Sequence, residues 1–225
     1  MSKHTLIWTL QAKFPMKWKE YLNSKKFSLK HIPLINLCQT KDFDDINQKL
    51  VHKNIIITSP YASSKILNNL SRHFNFYTVG KKTASILIEN GYIVKKTYNS
   101  SKDLFEWISS NSNEKFIHLC SKLSNEKISP ENVIMIPFYE PIKNKNFNSD
   151  DYLSLSKCTI VFGSPSGVDV WFENLSHKED FNYACMGQTT ANKIHDYTDE
   201  KVIFPKDSTI ETLINLVEKR LNEKQ

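Results

Sequence analysis

Serine, threonine and glycine stand at four places where an apolar, strand-like run gives way to a helix-like one. Two of these turns contain a Ser-Pro pair, within ITSPYAS (57–63) and FGSPSGV (162–168). The other two place glycine before threonine, within VGKKTA (79–84) and MGQTTA (186–191). The free backbone N–H groups of a first helical turn, together with the helix dipole, favour an anion, and a nearby hydroxyl adds a donor. The four turns therefore predict a cleft that binds anions.

Three sharper interpretations of these turns fail on spacing. A phosphate-binding P-loop needs GxxxxGK followed by Ser or Thr, and neither Gly80–Thr83 nor Gly163–Gly167 has that spacing. A nucleophile elbow, GxSxG, would require serine where Pro165 stands. The chain contains no GxGxxG motif, so a dinucleotide site is not supported. Plain helix capping stays open as the alternative for each Ser or Thr taken singly.

Tyr139, in IPFYEPI (136–142), is the other residue with chemical potential. Its ring can simply pack where the chain passes between domains, because an amphipathic aromatic suits such a place. Alternatively, its phenol faces the predicted cleft. A phenol with the ordinary pKa of about 10 stays protonated at neutral pH and can serve as an acid or hydrogen-bond donor. Both interpretations remain open from the sequence.

The turns belong to an internal repeat. The segment NIIITSPYASSKI (54–66) parallels TIVFGSPSGVDVWF (159–172), and YTVGKKTASIL (77–87) parallels ACMGQTTANKI (184–194). Further pairs, around the two Ile-Pro strands and around the last helix of each copy, follow in the same order. The offset is about 105 residues, which indicates a duplication.

The elements that position the turns alternate between short apolar strands and amphipathic helices throughout both copies. This alternation predicts parallel sheets that helices cover on both faces. We therefore expect an α/β protein of two doubly wound parallel-sheet domains with a cleft between them. Polar runs at 40–45 and 143–151 follow the two Ile-Pro strands, and they suggest that the chain crosses between domains there, with the two crossings side by side.

Composition excludes several classes of site. The four cysteines are widely spaced and the seven histidines show no metal-ligand spacing, so we predict free buried thiols and no metal. No apolar run approaches the length of a membrane span, and MSKHTLIWTL lacks the features of a signal peptide, so we expect a cytoplasmic protein without a membrane partner. The net charge of +6 rests on 28 scattered lysines and only two arginines, which disfavours nucleic acid and is compatible with a small polyanion.

Taken together, the landmarks resemble the uroporphyrinogen-III synthase family. The resemblance is collinear and covers nearly the whole chain, through Thr58-Ser59-Pro60, Val79-Gly80-x-x-Thr83-Ala84, Tyr139, Ser164-Pro165-Ser166-Gly167, Gly187-x-x-Thr190-Ala191 and Ser208-Thr209. It implies two α/β domains joined by a two-stranded linker. On that basis we expect domain 1 at 1–36 plus 143–225, domain 2 at 40–137, and linker strands at 37–39 and 138–142.

The resemblance also implies an activity. Members of the family are cyclising lyases that close the linear tetrapyrrole hydroxymethylbilane to uroporphyrinogen III, with loss of water and inversion of ring D through a spiro intermediate. They act in haem biosynthesis, use no cofactor and are monomers. The family would give Tyr139 the role of protonating or hydrogen-bonding the departing hydroxyl. It would give substrate-binding roles to Thr58, Ser59, Gly80, Thr83, Ser164, Ser166, Gly187 and Thr190.

Two departures from the family pattern affect the expected substrate contacts. Arginines that members carry after the first strand and near position 125 are replaced here by Leu10-Gln11 and Asn125. We expect lysines such as Lys13 or Lys122 to substitute for them. A two-lobed protein that binds a small polyanion without chemistry remains the alternative function, although a protonated phenol at Tyr139 favours the enzyme.

Overall fold

The computed structural model divides the chain into two compact units, which we call unit 1 (residues 1–36 and 142–225) and unit 2 (residues 37–141). The structure describes residues 4–25, 27–43, 45–67, 69–111, 113–124, 129–153, 156–175, 181–207 and 209–223. Asn125 and Ser208, which the sequence singled out, lie outside these described residues.

Strands and helices alternate along the chain. In chain order the strands are β1 (Thr5–Trp8), β2 (Ser28–His31), β3 (Ile35–Gln39), β4 (Asn54–Ile57), β5 (Asn75–Val79), β6 (Ile93–Tyr98), β7 (Phe116–Ser121), β8 (Val133–Lys143), β9 (Cys158–Phe162) and β10 (Phe181–Cys185). The helices are α1 (Met16–Ser24), α2 (Ile46–Lys49), α3 (Pro60–Ile66), α4 (Lys81–Glu89), α5 (Ser101–Ser110), α6 (Asp150–Leu153), α7 (Pro165–Asn174), α8 (Gln188–His195) and α9 (Ile210–Asn222), with a 3₁₀ turn at Lys41–Phe43.

The sheet of unit 1 has the order β10-β9-β1-β2, and its neighbouring strands are parallel. All five residues of β9 are buried, as expected for a strand covered on both faces. On one face, Leu6 and Trp8 pack against Leu22 of α1 and against the buried side of α9. On the other face, the Trp171 ring of α7 lies 6.1 Å from the Phe162 ring. Because parallel strands end at one edge, the turns after β1, β9 and β10 lie along that edge.

The sheet of unit 2 has the order β3-β8-β7-β4-β5-β6, with β8, β7, β4, β5 and β6 parallel. On one face of the sheet, buried residues of α2, α3 and α4 form one cluster with Ile55 and Ile57 of β4. The α5 residues Leu104 and Ile108 cover the other face with Ile56 and Phe116. Strands β4 and β5, which precede the first Ser-Pro turn and the first Gly-Thr turn, are therefore neighbours near the middle of a buried sheet.

Both passages between the units occur inside strands. The boundaries at 36/37 and 141/142 fall within β3 and β8, which are neighbours in the sheet. Backbone hydrogen bonds flank this pairing, from Thr40 N to Phe138 O (3.0 Å) and from Asn144 N to Leu34 O (2.9 Å). The predicted fold class, two doubly wound parallel-sheet α/β domains with a two-stranded connection, is confirmed. None of the helices in the described ranges is long and apolar enough to cross a membrane.

Candidate active site

The turn after β4 presents two hydroxyls with different partners. The Thr58 side chain is half-buried, and its Oγ1 lies 3.2 Å from Nε2 of His118 on the next strand, β7. Ser59 is the residue before α3, but among the described residues its hydroxyl accepts no hydrogen bond from that helix. Its side chain lies near Tyr139 instead, where it lowers the pKa of the phenol through side-chain hydrogen bonding. Capping therefore does not explain Ser59.

Tyr139 lies in the core of unit 2 and is only 8% exposed. Its ring is 5.2 Å from the ring of Tyr61 and 5.2 Å from the ring of Phe138. Burial raises the pKa of the Tyr139 phenol above its ordinary value, and the hydrogen bond with Ser59 opposes this shift. The phenol is therefore protonated throughout the physiological pH range and offers an O–H donor.

The turn after β5 depends on the backbone freedom of glycine. Gly80 begins α4 with φ of +81°, in the left-handed region that favours glycine. Thr83 lies in the first turn of α4, but its side chain is buried, at 1% exposure. Its carbonyl oxygen accepts a hydrogen bond of 3.1 Å from Ser63 Oγ, which ties α4 to α3. Thr83 therefore supports this turn from inside the unit.

In unit 1 the Ser-Pro turn after β9 is a capped helix start. The Ser164 hydroxyl accepts a hydrogen bond from Gly167 N (3.4 Å), and it lies 3.1 Å from the Ser166 hydroxyl. Both serines are half-buried. A Cβ atom at Gly163 would lie 2.9 Å from Leu10 Cδ2 and closer still to Leu10 Cγ, so the chain after β1 packs directly on this turn. Ser164 therefore caps α7, and the hydroxyls of Ser164 and Ser166 can also form a binding pair.

The turn after β10 is the counterpart of the Gly80 turn, with a different backbone. Gly187 precedes α8 in an extended conformation, and Thr190 is buried at 6% exposure. The neighbouring Cys185 thiol donates to Gly187 O across 3.4 Å, and burial raises its pKa to about 11. A thiol in that state is not a nucleophile at neutral pH.

The two lysines expected to replace the family arginines have different surroundings. Lys122 Nζ forms an ion pair of 2.9 Å with Glu140, the residue after Tyr139. Lys122 N also donates to Tyr139 O at 2.8 Å, so this lysine lies close to the backbone of the predicted catalytic residue. Lys13 lies in the segment between β1 and α1 and is exposed. Leu10 takes an apolar role, because its side chain packs over Gly163.

Sequence reasoning missed His118. It lies in FIHLCS, an apolar run that forms β7, and is 4% exposed. Burial lowers its pKa from 6.5 to about 4, so the ring is neutral at physiological pH. The available signal was a lone histidine in an otherwise apolar strand, which a search for metal-ligand spacing does not detect. Within the described residues, no group of three His, Cys, Asp or Glu side chains could hold a metal ion.

The predicted site residues together offer uncharged hydrogen-bond donors. In unit 2, Thr58, Ser59 and Tyr139 lie together, with Gly80 on the neighbouring strand's turn. In unit 1, the hydroxyls of Ser164 and Ser166 lie together at the start of α7. Such groups can donate hydrogen bonds to carboxylates, and the phenol can also donate to a departing hydroxyl.

Comparisons with known proteins identify the family. Residues 17–215 match the family described as Uroporphyrinogen-III synthase HemD. The structure is similar to uroporphyrinogen-III synthetase from Helicobacter pylori, with a TM-score of 0.68 and 15% identity over 96% of this chain and 99% of the other. It is also similar to a mutant uroporphyrinogen III synthase from the extremely thermophilic bacterium Thermus thermophilus, with a TM-score of 0.64 and 13% identity over 100% of both chains. No curated protein sequence matches the chain. The match over most of its length shows that this chain belongs to the uroporphyrinogen-III synthase HemD family.

Proposed function

We propose that this protein is a uroporphyrinogen-III synthase, a cyclising lyase that converts hydroxymethylbilane to uroporphyrinogen III. The observation that carries the proposal is the family match over residues 17–215, and the structural likeness supports the fold it requires. A non-catalytic polyanion-binding protein is not favoured, because the chain belongs to a family of synthases.

The proposed reaction begins with loss of the substrate's terminal hydroxyl. The C–O bond breaks with its electron pair on oxygen, and a proton from solvent completes the water that leaves. The remaining methylene carbon becomes the electrophile of an azafulvene cation. The substituted carbon of ring D attacks this methylene and forms a spiro intermediate. Fragmentation and reclosure then join the inverted ring D to the macrocycle, and loss of a proton restores the aromatic pyrrole.

Tyr139 is the proposed donor to the departing hydroxyl. Its buried phenol has a raised pKa, so the O–H is present at every physiological pH. A raised pKa also makes the phenol a weaker acid, which favours hydrogen bonding to the leaving oxygen over complete proton transfer. Side-chain hydrogen bonding by Ser59 opposes this rise in the pKa of Tyr139, which indicates that the Ser59 hydroxyl lies near the phenol oxygen.

The remaining predicted residues bind the substrate's carboxylates. Hydroxymethylbilane carries eight of these groups, and the hydroxyls and first-turn N–H groups at the four turns are suitable donors. The half-buried Thr58, Ser59, Ser164 and Ser166 offer side-chain hydroxyls, whereas Gly80 and Gly187 open the backbone to close approach. Thr83 and Thr190 are buried, and we assign them to shaping the turns whose N–H groups bind.

The main catalytic contribution is geometric. Hydroxymethylbilane also closes without an enzyme, to the uninverted type I isomer, so the protein must hold a flexible chain in the arrangement that leads to the spiro intermediate. Binding spread over several donors would supply this orientation. No single carboxylate contact needs to be indispensable.

We further propose that the protein acts as a cytoplasmic monomer without a cofactor, and that it binds neither nucleic acid nor a membrane. Four free thiols support a reducing compartment, and the scattered lysines support long-range attraction of a small polyanion. The two units are proposed to be the two domains of the family.

The decisive experiment supplies purified protein with hydroxymethylbilane and resolves the isomers of the product. We expect the type III isomer to form without added metal or nucleotide. Formation of the type I isomer alone, at the spontaneous rate, would refute the proposed function.

A further inference from the structure

His118 sits where the apolar interior of unit 2 meets the first Ser-Pro turn. Within the sheet it pairs with Ile56 on β4 and with Met135 on β8. The Phe105 ring of α5 stands edge-on to the imidazole, with the two centroids 5.7 Å apart. The residues placed beside it in the sheet and on α5 are thus apolar, and Thr58 Oγ1 lies 3.2 Å from Nε2.

The hydrogen bonds of the ring select its tautomer. A neutral imidazole has one N–H donor and one acceptor nitrogen. Among the described residues, Nδ1 of His118 has no hydrogen-bond partner. With the proton on Nε2, this N–H donates to Thr58 Oγ1, and only the lone pair of Nδ1 lacks a hydrogen bond. With the proton on Nδ1, a buried N–H would be unpaired, and orphaned buried donors are the rarer and costlier case.

We propose that His118 is a positioning residue that donates from Nε2 to Thr58 Oγ1 and thereby directs the Thr58 hydroxyl proton toward a carboxylate oxygen of the substrate. A threonine hydroxyl has one proton and can either donate it or turn it toward a neighbouring acceptor. When Nε2–H of His118 donates to Thr58 Oγ1 from the interior, the hydroxyl proton of Thr58 can point to the accessible side of this half-buried residue. The inference rests on the proposed function, because the anion it serves is hydroxymethylbilane.

The neutral state of the ring fits this role. Burial keeps the pKa of His118 near 4, so the same neutral tautomer persists through the physiological pH range. The hydroxyl orientation is then independent of pH in that range. His118 does not touch the substrate in this scheme, and its effect is transmitted by Thr58.

The test is a double-mutant cycle on the kinetics with hydroxymethylbilane. We expect His118→Leu to raise KM about 5-fold, with kcat changed less than about 2-fold, because a substrate-binding hydrogen bond is misdirected. Thr58→Val should raise KM by a similar factor. The double variant should be no worse than the weaker-binding single variant, since both changes remove one interaction. His118→Gln keeps an N–H near the ε position and should recover most of the affinity.

Two further measurements separate positioning from a packing role. His73 forms an exposed hydrogen bond with Ser71 in the same unit, so His73→Leu is a matched control that should leave KM unchanged. Proton–nitrogen correlation spectra of the imidazole rings, assigned with His118→Gln, should find His118 neutral and protonated on Nε2. This spectrum requires no activity and remains informative if His118→Leu does not fold.

The outcomes divide clearly. Three results would each overturn the inference. The spectrum could show the His118 ring protonated on Nδ1, or His118→Leu could leave KM unchanged. The third is that the effects of His118→Leu and Thr58→Val on KM prove additive in the double variant. Failure of the unmodified protein to form the type III isomer would instead overturn the proposed function, and the spectrum would still decide the tautomer.

Discussion

Replacing Tyr139 with phenylalanine removes one oxygen atom from the centre of the candidate site. The ring of the variant keeps its contacts with Tyr61 and Phe138, each 5.2 Å away between centroids. What disappears is the hydrogen bond with Ser59 and the proposed donor to the departing hydroxyl. The half-buried Ser59 can exchange its lost partner for water. The change therefore isolates the chemical contribution of the phenol O–H.

The size of the kinetic effect reveals what the phenol does. A hydrogen bond between neutral groups is worth about 0.5–1.5 kcal/mol, which corresponds to roughly 2- to 13-fold in a rate. Full general-acid catalysis contributes about 100-fold or more. Because burial raises the pKa of Tyr139 and weakens it as an acid, we expect kcat to fall by about 10-fold. The free energy of unfolding should fall by about 1 kcal/mol, which lowers Tm by roughly 2–4 °C.

The assay measures initial rates of type III formation and separates that isomer from the type I isomer. Tyr61→Phe is the matched control, because the Tyr61 hydroxyl donates to Leu37 O at 3.0 Å in the same unit. It should lose similar stability and keep its kcat. An unchanged kcat in Tyr139→Phe would refute the catalytic role and leave Tyr139 as a packing residue.

Two further predictions concern stability. Gly163→Ala should lower the free energy of unfolding by about 1–3 kcal/mol, since its Cβ would collide with the Leu10 side chain. In a chain that already carries Leu10→Ala, adding Gly163→Ala should cause no such loss in thermal unfolding. Equal losses with and without Leu10→Ala would show that the Leu10 side chain is not the cause. Acidification should also destabilise the protein through His118, because its pKa is about 4 when folded and about 6.5 when unfolded. As the pH falls, the unfolded chain takes up the His118 proton before the folded one does. The contribution of His118 to the free energy of unfolding is therefore complete above pH 6.5 and is lost as the pH falls to 4. Urea titrations should therefore show a loss of about 3 kcal/mol in the unmodified protein that His118→Gln lacks, and the same pH dependence in both would count against it.

The fold could be predicted because its signals are local and repeated. The apolar run that forms β9 is buried on both faces, and the helix start at Pro165 follows from residues within a few positions. The matching run before Pro60 predicts β4 and α3 in the same way. Parallel pairing then follows from the single helix that separates β1 from β2, β4 from β5, β5 from β6, and β9 from β10.

The partners of the site residues could not be predicted, because they come from distant parts of the chain. Ser59 and Ser164 occupy equivalent Ser-Pro turns, yet Ser164 caps its helix while Ser59 contacts Tyr139. That difference depends on where β8 lies in the folded sheet. The bond between Thr58 and His118 likewise depends on the register of β4 against β7. Local sequence carries neither fact.

The discontinuity of unit 1 fixes an order in which the two sheets become available during synthesis. Unit 2 is one continuous stretch, so every strand of its sheet has left the ribosome once β8 has emerged. Strand β1 is made first, but it lies between β2 and β9 in its sheet. One edge of β1 must therefore wait, with its backbone groups unpaired, until Cys158–Phe162 is made. Strand β1 therefore acquires both of its neighbours only after β2 to β8 have been made.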